Sequence, residues 1–278
     1  MDFRETTVKN WQKLFEIYEG FEPKTQWVFR GLSNKGYSLK TTLERAAKRF
    51  GLYANKLSEM ESTMIRHFKR QAHRYLKNLP KDDDTIEWLA LMQHYGSPTR
   101  LLDWTYSFFV AVFFAVEQSD TNTPCAVWAV DMDWVIETAE QLFDEPAFRI
   151  VQKKDPPLKS KDFFNLVFNR QPPVPLVYSL NPERLNERLI VQQGLFLAPA
   201  DISKSFEKNL DAICKIDPNA KSHIRKITID AAVSAKREIL RHLHRMNINR
   251  ASLFPGLGGF AQSLTTYLAN PLLMGKNR

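Results

Sequence analysis

Arg30 closes a short run of aromatic and branched residues, Trp27-Val28-Phe29-Arg30-Gly31. An arginine inside such a strand either faces solvent or is drawn inward to hold an anion. A second set of chemistry-bearing side chains, Arg100, Asp103 and Thr105, falls between a helix break at Gly96-Ser97-Pro98 and a nearly unbroken apolar run, Phe108 to Val116. A helix that is apolar all round must lie in a core, so these three residues are expected at a rigid strand-to-helix turn, a usual place for a site. His94 stands at the preceding helix end, near Arg100 and Asp103, and either takes part in a polar site or caps that helix. Gln192 and Gln193 interrupt a later apolar run, which is costly unless their amides are paired or serve a ligand.

Several constellations are missing from the chain. There is no GxxxxGK[ST] phosphate loop, HExxH, CxxC pair or GxSxG elbow. Asp82-Asp83-Asp84 resembles a metal motif only superficially, because at a helix start the three carboxylates point in different directions and favour capping. No metal is expected.

The elements that must position these residues alternate between helix and strand. Val8 to Tyr18 has helical spacing, Trp27 to Gly31 is strand-like, and Ser38 to Phe50 reads as a helix opening on Lys40-Thr41-Thr42. A long helix is expected from about Ala54 to Leu79. Its surface crowds Arg66, Lys69, Arg70, His73, Arg74 and Lys77, which form either a solvated face or a ridge facing nucleic acid. Helix ending IEWLALMQHY, strand Thr99 to Trp104 and a helix capped by Thr105 or Ser107 and running to about Gln118 make the centre. Strand 126–131, helix 134–143, strand 195–198, helix 201–212, strand 223–229 and helix 231–246 follow, with a closing segment that carries a Gly-Gly hinge. The proline- and lysine-rich stretch 153–175 reads as a surface insertion within a single domain, 1–278.

Composition bounds the class. With 278 residues, 44% of them hydrophobic, the chain can fill a proper core. No window reaches the length needed to span a bilayer and MDFRETTVKNW lacks the apolar core of a signal peptide, so no membrane partner is expected. Cys125 and Cys214 are far apart, which suggests neither a disulfide framework nor a zinc site, and places the expected location in a reducing cytoplasm. A formal charge of +8 either points toward phosphate-bearing partners, DNA or RNA among them, or belongs to a soluble protein that is merely basic. Oligomeric state is left open.

The chain resembles the FRG domain family through Phe29-Arg30-Gly31, then Gln93-His94-Tyr95-Gly96-Ser97-Pro98-Thr99-Arg100-Leu101-Leu102-Asp103-Trp104-Thr105, then Arg188 with Gln192-Gln193-Gly194-Leu195-Phe196, and finally Ala251-Ser252-Leu253-Phe254-Pro255. Gly256 stands where an acidic residue usually follows that proline. The order of elements is also similar to the arginine–serine–glutamate class of ADP-ribosyltransferase-like proteins. There, a first strand ends in Arg-Gly, a middle strand leads into an Ala-x-x-Phe-Ala helix, and a late strand carries a glutamate before a glycine, a place held here by Gln193.

This resemblance implies an α+β fold with an ADP-ribosyltransferase-like split sheet and a substantial helical N-terminal part, using NAD as substrate. It implies that Arg30 holds the pyrophosphate or a ribose hydroxyl, that Asp103 to Thr105 shape the nicotinamide-ribose pocket, and that Gln193 polarises the ribose, with Gly31, His94, Tyr95, Arg100, Trp104, Thr105 and Gln192 as binding residues. A carboxylate stabilises an oxocarbenium ion better than an amide does. Asp103 or Glu187 would then supply the charge, or the site binds NAD or a related nucleotide without turnover. A bacterial toxin or anti-phage effector acting on nucleic acid or protein fits the resemblance. The alternative is a nucleic-acid-binding or sensor module that works through Arg66, Lys69, Arg70 and Arg74, with Arg30 merely ion-paired to Asp103.

Overall fold

The computed structural model describes residues 1, 3–120, 122–143, 160–184 and 186–269. Among them, seven strands form one mixed sheet in the order β1-β7-β4-β2-β3-β6-β5. These are β1 (Arg4–Val8), β2 (Trp27–Leu32), β3 (Leu102–Thr105), β4 (Cys125–Asp131), β5 (Val177–Ser179), β6 (Gly194–Pro199) and β7 (Ile224–Ile229). β1 and β7 run parallel, and every other neighbouring pair is antiparallel. β4 is buried at every residue, as a Val- and Ala-rich strand covered on both faces must be.

Side-chain alternation sorts the strands onto two cores. Val28 and Leu32 of β2, with Trp128 and Val130 of β4, face one core. Trp27 and Phe29, with Cys125, Val127 and Ala129, face the other. The second core is covered by α1 (Trp11–Glu19), α5 (Phe108–Glu117) and, later in the chain, Val233–Arg245. The first is covered by α3 (Leu57–Ala72), α4 (Thr85–His94), α6 (Met132–Phe143), α7 (Ser160–Phe168) and a helix over Phe206–Cys214, and α2 (Thr42–Arg49) buries Leu43 and Ala47 apart from both clusters. The short helix Glu187–Val191 is α8, Phe206–Cys214 is α9, Ala220–His223 is α10, Val233–Arg245 is α11, Arg250–Leu253 is α12 and Leu257–Ala269 is α13.

α5 lies on the sheet because seven of its ten residues are buried, and Ser107 caps it by accepting from the Val110 N–H. Gly31 is what lets it approach: a Cβ there would lie 2.0 Å from the Ala111 carbonyl oxygen and 2.7 Å from the Ala115 nitrogen. Both are backbone atoms of a packed helix, so neither can give way.

Three sequence expectations shift. The helix expected to reach Leu79 ends at Ala72, because His73, Arg74, Tyr75 and Lys77 are exposed and bury nothing that would hold further turns in place. β1 adds an edge strand whose polar RETTV sequence carries little alternation. Of the expected surface insertion, 153–159 lies outside the described residues. From Ser160 the chain is α7, and Phe164, Val167 and Phe168 are buried in the first core. Their i, i+3, i+4 spacing makes an apolar stripe that the flanking prolines obscure in sequence.

The ladder between β2 and β3 consists of one pair, Phe29 with Thr105, whereas β2 and β4 share six. The sheet therefore has two wings, β1-β7-β4-β2 and β3-β6-β5, joined along a short seam.

Candidate functional site

Beyond Phe29 and Thr105 the two wings separate, and the Arg30 side chain bridges the gap. Its Nη1 donates to the Asp103 main-chain carbonyl. The ion pair with the Asp103 carboxylate, open as a sequence alternative, is not formed. Instead the carboxylate is anchored from α4: Asp103 Oδ2 accepts from Gln93 Nε2 at 3.1 Å, while Gln93 Oε1 accepts from the Thr99 hydroxyl at 2.6 Å and from the Thr42 hydroxyl at 3.4 Å. Both ends of the Gln93 amide are satisfied, which fixes its orientation and with it the carboxylate.

Arg30 and Asp103 line a cavity of about 370 Å³, within the range usual for small-molecule sites. Arg45 of α2 and Arg188 of α8 line it too, as do Tyr37 at 58% exposure and Gln192. Arg45 Nη1 donates to the Lys40 carbonyl at 2.6 Å. The Arg188 guanidinium lies 4.8 Å from the Phe254 ring centre, and Arg250 takes an equal distance to the same ring while its own charge is met by Glu117. Among the described residues, Arg30, Arg45 and Arg188 have no carboxylate within ion-pair distance. Three cations thus share the cavity with one carboxylate. The buried Arg30 Nε has no hydrogen-bond partner among the described residues, an unmet donor of the kind an anion would satisfy.

Electrostatics follow from this arrangement. Burial pushes the Arg30 guanidinium down from its ordinary value, Asp103 opposes that shift and Arg45 adds to it. An anion would offset both costs. Partial burial and then Arg188 hold the His94 imidazole below the ordinary histidine range.

The remaining expected site residues divide by position. Trp104 and Thr105 line the cavity. The buried Thr105 hydroxyl donates to the Gln192 carbonyl at 2.7 Å and accepts from the Ser107 N–H at 3.0 Å, so it pins the β3–α5 turn to the end of α8. Gln192 is buried and its side-chain nitrogen donates to the Leu253 carbonyl at 2.9 Å, which answers how an amide is tolerated there. Gln193 is exposed, at φ 47°, and is not among the cavity-lining residues. Gly31 lines the cavity, yet its smallness serves the α5 contact. His94 borders a small recess that shares Asp103, Arg188 and Gln192 with the main cavity. Tyr95 is exposed and does not border that recess, and its ring meets that of His94 edge to face at 4.9 Å.

Arg100 sits elsewhere. It is buried against Glu61 of α3, with Nε donating to Oε1 at 3.0 Å and to Oε2 at 2.8 Å. Of the basic surface, Arg66, Arg70 and Arg74 are exposed, whereas Lys69 donates to the Asp82 carbonyl at 2.5 Å and lies 5.3 Å from the Trp88 ring centre. Asp84 caps α4 through the Glu87 N–H, and among the described residues no group of three His, Cys, Asp or Glu is placed to hold a metal ion. No helix among them is long and apolar enough to cross a membrane.

Sequence reasoning missed Gln93, Arg45 and Arg188 as site residues. Gln93 and Arg188 stand inside the matched motifs and were readable there. Arg45, one of several bases along α2, carries no sequence signal of its own. No curated protein and no solved structure matches the chain. The model of the FRG domain matches residues 25–123, the span from before β2 to just before β4 that supplies Arg30, Arg45, Gln93 and Asp103.

Proposed function

We propose that this protein is an ADP-ribosyltransferase-like enzyme that takes NAD as substrate in the cavity where the two wings of the sheet part. The observation that carries the reading is the grouping of Arg30, Arg45 and Arg188, none of them ion-paired among the described residues, around one anchored carboxylate, Asp103. A dinucleotide pyrophosphate carries two negative charges, which the three guanidiniums match with charge-assisted hydrogen bonds. As the bond from ribose to nicotinamide lengthens, positive charge develops on the ribose and the Asp103 carboxylate stabilises it. Nicotinamide leaves with the bonding electrons, and an acceptor nucleophile adds to the same carbon and loses its proton. The one-pair seam between β2 and β3 is consistent with the split sheet of such enzymes. Asp103 then takes the role that a late-strand glutamate fills in that class, and Gln193, exposed beside β6, takes no part in charge stabilisation.

The test is nicotinamide release and transfer of a labelled ADP-ribose by the wild-type protein, Arg30→Ala and Asp103→Asn, with cell lysate, DNA or RNA as acceptor. Expected are turnover by the wild type and losses of roughly 10²–10³-fold in each variant, the scale found when one charge-stabilising group is removed. Turnover unaffected by Asp103→Asn would overturn the assignment of the carboxylate. A thermal shift with NAD but no turnover under any condition would make the chain a nucleotide-binding module.

A further inference from the structure

At the C-terminal end of α3 and just past it, Phe68, Ala72, Tyr75 and Leu76 form one wall of an open groove of about 330 Å³, and Tyr95 forms the other. Tyr75 is 78% exposed and Tyr95 57%. His73, Arg74 and Lys77 are exposed along the same stretch, and Arg74 Nη1 donates at 3.2 Å to Oε1 of Gln71, which itself lines the groove, so the Arg74 charge is held beside it. The sequence from Arg70 to Lys77, RQAHRYLK, contains no carboxylate. The rim therefore suits an anion and the floor suits flat apolar faces.

The groove also leads somewhere. Tyr95 touches His94, His94 borders the recess containing Asp103, Arg188 and Gln192, and those three residues line the Arg30 cavity. We infer that the acceptor is single-stranded nucleic acid, its bases stacked on Tyr75 and Tyr95, its phosphates met by Arg74, and its target nucleotide delivered past His94 to the cavity. Exposed aromatic platforms beside a cationic track bind single strands because every base offers a π face, whereas a duplex hides those faces in its stack. A cationic rim disfavours a basic peptide, and a purely apolar one would leave the cations without partners. The inference names the acceptor class for the transfer reaction above and rests on that reading, but the binding it requires can be measured without NAD.

Fluorescence anisotropy with labelled dT20, U20 and a 20-base-pair duplex, using the full chain, provides the test. Expected is binding of dT20 or U20 in preference to the duplex, with the two strands showing which sugar the groove accepts. Tyr75→Ala and Tyr95→Ala should each weaken it roughly tenfold, the lower part of the range for losing one stacked base, while Tyr→Phe variants retain it. Arg74→Ala should reduce the slope of log affinity against log salt by about 0.7, the value of one phosphate contact on a single strand. Arg30→Ala should bind normally while losing NAD turnover, so that the groove and the cavity fail separately. The inference is overturned if the duplex binds as well as the single strands, if the tyrosine variants bind like wild type with unchanged thermal unfolding, or if label passes to protein and never to either oligonucleotide.

Discussion

Replacing Glu61 by alanine should cost about 3–5 kcal/mol of stability, the range for stranding a charge in a site that water does not reach. Glu61 and Arg100 are each 2% exposed. The carboxylate accepts from Arg100 Nε and Nη2 and from the Arg100 main-chain nitrogen at 3.3 Å. The only other acceptor given to the guanidinium among the described residues is the Phe168 carbonyl, 3.3 Å from Nη1, with the Phe164 and Phe168 ring centres 5.4 and 5.8 Å away. Without Glu61, three donors and one full charge lose their partner in an aromatic enclosure. Exchanging both residues for apolar ones, Glu61→Leu with Arg100→Met, removes the charge as well as its partner and should come within about 1 kcal/mol of wild type.

Urea unfolding of the wild type, both single variants and the double variant measures this directly as a coupling energy of roughly 3 kcal/mol or more. In a thermal scan the Glu61→Ala loss corresponds to roughly 6–10 °C for a chain of this size. Single-variant losses below about 1 kcal/mol that simply add would refute the reasoning, because they would mean that the pair behaves as a solvated surface contact. The same double variant addresses the site. Since Arg100 lies with Glu61 and not in the Arg30 cavity, thermal stabilisation by NAD should survive the exchange, and its disappearance from a stable double variant would return Arg100 to the ligand.

Gly31→Ala should destabilise the fold by about 3 kcal/mol or prevent folding, read by chemical denaturation, because its Cβ meets only the α5 backbone. Gln193→Gly should stabilise by up to about 1 kcal/mol by removing a side chain from the left-handed region, with NAD turnover unchanged. His94 titration followed by NMR should rise toward 6.5 in Arg188→Ala. Because the folded value lies below the unfolded one, the stability linked to His94 is present above pH 6.5 and is lost as pH falls through the folded value, a loss that His94→Gln should remove.

Read along the chain, the apolar run Phe108 to Val116 was enough to require a buried helix, and Gly96-Ser97-Pro98 enough to require a break before it, because burial and backbone freedom are local properties of residue type. Phe29-Arg30-Gly31 marked a strand whose arginine could face solvent or turn inward, and Ser107 stood ready as a cap. What the sequence left open were the partners. Arg100 and Asp103 are three residues apart in one motif, yet one is sealed against Glu61, 39 residues away, and the other is held by Gln93 at the cavity. Gln192 and Gln193 are adjacent in sequence, but one residue of backbone turned to positive φ places the first at the cavity and leaves the second in solvent. Arg45 and Arg188 join Arg30 only because the tertiary fold brings α2 and α8 to the same cavity as β2. Residue type determined which side chains could hold charge; which charges meet was decided by the register of the strands and the crossing of the helices, since Coulomb and hydrogen-bond energies depend on distances that sequence spacing does not set.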